Sequence, residues 1–175
     1  MTLSIYDIAV PMFAGGLAAL KDYINMAATH AEAKNIDPRA LLDARLYPDM
    51  YSFTRQIQSG TDQARRGLDR LAGKELGHVP DQEQTFAELA ARVDSTINHV
   101  LACDRSSLEG AEDRVISMPI GPKGHTDFSG RSYLLTFALP NFFFHVVTVH
   151  DILRHNGVDV GKRHFLWPFM TVPEV

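Results

Sequence analysis

The chain has 175 residues, 45% apolar and 22% charged, the balance of an ordinary single globular domain spanning 1–175 that buries roughly 70% of its unfolded surface without help from metal or disulfide. Its 17 Lys and Arg against 21 Asp and Glu, a net charge of -4, leave no broad cationic footprint, so no nucleic-acid or membrane partner is expected. One cysteine, Cys103, excludes an internal disulfide and a Cys-rich zinc site, whereas eight histidines are enough for a metal site of imidazole and carboxylate.

The N-terminal MTLSIYDIAVPMF lacks the basic start of a secretory signal and carries Asp7 and Pro11 where its apolar run would lie, which points to the cytoplasm. A first long amphipathic helix begins at the N-cap Ser4, places Ile5, Ile8, Met12, Phe13, Gly16, Leu20, Tyr23, Ala27 and His30 on one side, and ends near Lys34. Pro11 should bend it. Asp37-Pro38 reads as N-cap and first residue of a short helix through Ala44. Pro48 and Asp49 open the second long helix, with a stripe of Met50, Phe53, Ile57, Ala64, Leu68 and Leu71 that Gly73 stops.

The third long helix starts at a capping box, Thr85 to Glu88, and runs to about Cys103 on Phe86, Leu89, Val93, Ile97 and Val100. Beyond it the helical period disappears. Arg114–Ile120 and Arg131–Phe137 read as two strands of a β-hairpin around Gly121-Pro122-Lys123-Gly124 and Ser129-Gly130. A fourth long helix runs from about Pro140 to His155 and ends at Asn156-Gly157. No stretch reaches the ~18 uncharged apolar residues of a membrane span, since Pro140, Asn141 and His145 interrupt FALPNFFFHVVTV. The aromatic, proline-broken tail GKRHFLWPFMTVPEV should dock on the bundle or on a partner subunit. The fold class is therefore mainly α, a four-helix bundle with a short β-hairpin excursion between the third and fourth long helices. The long connection leaves the direction of the fourth helix open.

Chemistry concentrates in the fourth helix. His145 falls in its apolar sector between Val149 and Ile152, with Asn141 one turn before and Thr148 nearly one turn after. His150 and His155 are each turned about 140° from the preceding histidine, so the three cannot ligate one metal from one helix. His155 suits the negative helix end. His30 is the other inward histidine, and it approaches His145 if the fourth helix begins at the end where the first one finishes. His99 lies opposite its helix's apolar stripe, and His78, His125 and His164 fall in loops or tail. The candidate ligand-binding set is thus His30, Asn141, His145 and Thr148, with His145 the best catalytic candidate. His145 and His30 are the candidate metal ligands, for zinc or nickel. The competing reading makes His145 a neutral core histidine hydrogen-bonded to a neighbouring helix. Cys103 lacks a clear activating neighbour, since Asp104 opposes Arg105. Gly121–Gly124 lacks the spacing of a phosphate loop.

The segments PNFFFHVVTVHDILRHNGVDVGKRHFL, HAEAKNIDPRALLDARLYPDM and TRQIQSGTD resemble a domain-of-unknown-function branch of the DinB/YfiT-like superfamily, over nearly the whole chain. The resemblance implies a DinB-like four-helix bundle, often a homodimer, related to metal-dependent enzymes such as thiol S-transferases. It also implies a metal triad of one histidine from the second helix and an HxxxH pair from the last. His145 matches the second position of that pair, but Asn141 occupies the first, and no histidine lies between Met50 and Leu71. A neutral amide oxygen is a weak transition-metal ligand. The leading expectation is a bundle with a depleted interior site around His145, Asn141 and His30 that binds a small molecule. The alternatives are a metal-dependent transferase or hydrolase using His145 and His30, and a structural homodimer sealed by the aromatic tail.

Overall fold

The computed structural model describes residues 3–119 and 124–171. Helix α1 spans Ile5–Ala33, and Ser4 and Asp7 form a reciprocal capping box at its start. Helix α2 is Pro38–Leu42, capped by Asp37. Helix α3 is Phe53–Leu71, opened by the Ser52 side chain rather than at Pro48, because Pro48 and Asp49 lie in a turn. Gly73, at φ 67°, takes the left-handed turn that closes it. Helix α4 is Phe86–Leu101, with the capping box of Thr85 and Glu88 in place.

The hairpin differs from its expected course. Strand β1, Val115–Pro119, pairs antiparallel with β2, His125–Ser129, and Ile116 stands opposite Phe128. The expected turn residues 121–123 and Ile120 lie outside the described residues. Arg131–Phe137, expected as the second strand, is helical. Ser129 caps α5, Gly130–Tyr133, which passes through a wide turn over Leu134–Ala138 into α6, Leu139–His155. The Leu139 N–H donates five residues back to Leu134, just before Pro140, which has no N–H to give. Tyr133, Leu134, Ala138 and Leu139 are buried while Leu135 and Thr136 are exposed, a five-residue burial repeat that matches the wide turn. Packing therefore overrides the strand propensity of Tyr, Leu, Thr and Phe.

One consequence corrects the membrane reading. Gly130–His155 is a continuous helix of 26 residues whose most apolar window has mean hydropathy 1.4, long and apolar enough to cross a membrane by those criteria alone. Half of that window is buried inside the bundle, as in a core helix.

Helices α1, α4, α3 and α6 pack in that order around a closed ring. Their directions follow from who meets whom. Gly16 lies against Phe142, and Tyr23 against His150, so α1 and α6 run parallel. Gly60 meets His145 while Gly67 meets Ala138, so α3 opposes α6. Arg92 bonds Thr61 and His99 bonds Asp69, so α3 and α4 are parallel. The tail forms α7, Lys162–Thr171, which docks on α1: the Phe169 ring covers Gly15. Trp167 and Met170 face outward.

Gly130 is where the hairpin feeds the last helix. A Cβ there would lie 1.8 Å from the Ala111 carbonyl oxygen, a backbone atom that cannot rotate away. Gly130→Ala is expected to destabilise the fold by about 2–3 kcal/mol, read by chemical denaturation; a change below about 0.5 kcal/mol would contradict the close approach.

Candidate functional site

Burial of His145 follows from its place on α6, where Phe142, Val146 and Val149 fill the core beside it. The residue is 8% exposed. Its partner comes from α3: the Nδ1–H donates to Gln56 Oε1 at 2.7 Å. Gln56, itself buried, also reaches the Tyr51 carbonyl through Nε2. Desolvation, with a smaller contribution from the Arg55 guanidinium, pushes the His145 pKa down from 6.5 to about 4. The imidazole is neutral at pH 7. Its Nε2 lone pair is the one atom left to bind anything.

The other members of the expected set do not join it. Thr148 donates to the Phe144 carbonyl one turn back, a bond within its own helix. Asn141 is half-buried, and its side chain makes no hydrogen bond among the described residues. Because α6 begins at the end where α1 begins, His30 is carried away: His145 sits level with Leu20 across Gly60, and His30 lies about 15 Å further along α1 at 1.5 Å per residue. Among the described residues no group of three His, Cys, Asp or Glu side chains could hold a metal ion. The donors at His145 therefore do not fit the triad that the resemblance implies. Gln56, on the second long helix, occupies the side of His145 from which a histidine would have come. It was legible as the polar residue nearest the Phe53, Ile57, Gly60, Ala64 stripe.

A second polar cluster lies on the opposite wall of α3. Arg92 of α4 is buried, with its side chain 3% exposed. Its Nε donates to Thr61, and Nη2 to Asp62 at 3.0 Å, while Asp81 is 3.0 Å away. Nη1 donates to the Pro80 carbonyl and to Glu83 at 3.1 Å. Arg55 and Arg66 back the same carboxylates through Asp81 and Asp62. One turn pair further on, the buried carboxylate of Asp69 meets His99 Nε2 at 2.8 Å, with Arg65 3.9 Å from its other oxygen. Between these groups lies a cleft of about 510 Å³, reached by Thr61, Arg65, Val79, Glu83, Ser95 and His99 among others. None of this was anticipated, yet a signal existed: Asp62 and Asp69 on α3, like Arg92 and His99 on α4, are seven residues apart and fall on one face.

The remaining candidates resolve simply. Cys103 is buried with Sγ near Ser107. Phe142 packs on Phe13, Phe143 turns to Phe165 and Phe169, and Phe144 is 58% exposed.

His145→Ala is expected to cost about 1–3 kcal/mol at pH 7, because Gln56 loses its partner. The folded pKa lies below the unfolded one, so the unfolded chain binds more protons and stability falls as pH drops. The wild type should lose about 2–3 kcal/mol relative to His145→Ala between pH 6.5 and about 4. Parallel denaturation curves for the two proteins across that range would overturn the buried neutral assignment.

The model of the domain of unknown function DUF1993 matches residues 5–166. A solved structure described as a DinB family member protein from Shewanella denitrificans superposes with a TM-score of 0.85 at 34% identity, covering 93% of this chain and 91% of that one. No curated protein matches significantly. With its family model spanning nearly the whole length and its closed helical ring shared with that structure, the chain belongs to the DUF1993 family of DinB-like proteins.

Proposed function

We propose that this protein binds a small molecule in the cleft between α3 and α4, while His145 serves as an interior hydrogen-bonding residue. The observation that carries this reading is the cleft itself: about 510 Å³, within the range that holds small ligands. Val79, Pro80 and Ala91 supply carbon, and Ser95, Thr96 and His99 supply hydroxyl and imidazole. Its guanidinium and carboxylate groups are largely paired with each other, which suits a neutral polar ligand better than a charged one. The buried Asp69 fixes the His99 ring, so its remaining nitrogen, Nδ1, is held for one partner.

Ser95 lines the cleft from the exposed side of α4, so Ser95→Trp fills it without touching the core. Native mass spectrometry of protein purified from cells should show a small adduct on the wild type that is absent from Ser95→Trp. Equal occupancy in both, or none in either, would sink the proposal.

The alternative, a metal-dependent transferase or hydrolase, needs ligands for His145 beyond Gln56 and Asn141, and amide oxygens hold zinc or nickel weakly. Elemental analysis of untagged protein is expected to find far less than one zinc, nickel or iron per chain. A full equivalent that disappears in His145→Ala would restore the metalloenzyme reading.

A further inference from the structure

Two short segments at the end of the chain, LRHNG (Leu153–Gly157) and GK (Gly161-Lys162), have no part in either site described above. They meet at one hollow of about 390 Å³ where α6 ends and α7 begins, lined by His150, Arg154, Asp159, Lys162, Arg163 and His164. The turn between them is firmly set. Gly157, at φ 83°, reverses the chain, the Val158 N–H returns to the Leu153 carbonyl, and Val158 and Val160 are buried beneath. The basic side chains therefore stand on a fixed rim.

Their chemistry is one-sided. Arg154 is 61% exposed and oriented by Asp159 at 3.2 Å, the one carboxylate lining the hollow among the described residues. His164 Nδ1 accepts the Gly161 N–H at 3.0 Å, so its Nε2 carries a proton and donates. His150 Nδ1 is 2.9 Å from the Asp151 carboxylate, and its Nε2 is buried with no partner among the described residues. Behind His150 stands the Tyr23 ring, 5.8 Å away, whose buried hydroxyl also lacks a partner there. Arg154, Lys162 and Arg163 thus bring three cations against Asp159 within the hollow and Asp151 at its edge, in a chain whose net charge is -4. Neutral ligands leave those charges unanswered. A group with several acceptor oxygens and more than one negative charge answers them, and a guanidinium binds such a group in bidentate fashion.

We infer that the hollow between α6 and α7 binds the phosphate group of a small soluble phosphorylated molecule, with Arg154, Lys162, Arg163 and His164 as its donors. The site is separate from the α3/α4 cleft and stands or falls independently of it.

Calorimetric titration of the full chain with inorganic pyrophosphate at low ionic strength tests the assignment. One saturable site is expected, weakened at least about tenfold in Arg154→Gln and in Arg163→Gln. Arg131→Gln removes an exposed arginine at the far end of the same helix and should leave it unchanged. Absence of saturation, or equal weakening by all three substitutions, would overturn the site. Binding confined to phosphatidylglycerol vesicles would overturn it too, by assigning the phosphate to a lipid surface.

Discussion

A single buried guanidinium organises the α3/α4 side of this bundle. Removing Arg92 from water costs several kcal/mol, and only a full shell of acceptors offsets that. Thr61, Gln58, Asp62, Asp81, Pro80 and Glu83 supply the shell, from α3 on one side and from the segment preceding α4 on the other. That segment, 72–85, has to travel the length of α3, about 28 Å for its 19 residues, so that two consecutive long helices can lie parallel. Such a connection has few partners of its own. Arg92 gives it some through Pro80, Asp81 and Glu83, and the cleft lies between this segment and the two helices.

The parallel pairs decide everything else about placement. With α3 and α4 running one way and α1 and α6 the other, His145 meets Gln56 and not His30. The interior polar pair is then complete with two members: an imidazole that gives one proton, and an amide oxygen that takes it. Burial keeps the imidazole neutral, which suits a hydrogen bond inside a core better than it suits charge. His145 is thus a hydrogen-bonded element of the core, while the open polar hollows lie between α3 and α4 and at the α6/α7 junction.

Much of the fold was legible in the residues. The caps at Ser4, Asp37 and Thr85, the stripes of the four long helices apart from Met50 and His30, and the stop at Asn156-Gly157 are local chemistry, and the structure keeps them. The second strand was not legible, because Arg131–Phe137 has strand-like composition. Its helical state is imposed by Tyr133 and Leu134 finding the core together with Ala138 and Leu139. The site was legible only by halves. His145 declared itself through its place among Val149 and Ile152, and Gln56 stood in the apolar stripe of α3 as an ordinary polar residue until the two helices were set against each other.

By itself, then, the sequence determined where the four long helices lie, most of their caps and stops, and that His145 turns inward, since these depend on neighbours within a few residues. Arg131–Phe137 and the tail helix, and the half-buried place of His30, were left to packing. The tertiary structure alone decided that the last helix runs parallel to the first, which separates His30 from His145. It also decided that Asp69 meets His99, that Arg92 closes the crossover, and that LRHNG and GK share one hollow. Each of these is a meeting between residues far apart in the chain, fixed by helix direction, and no local pattern encodes direction.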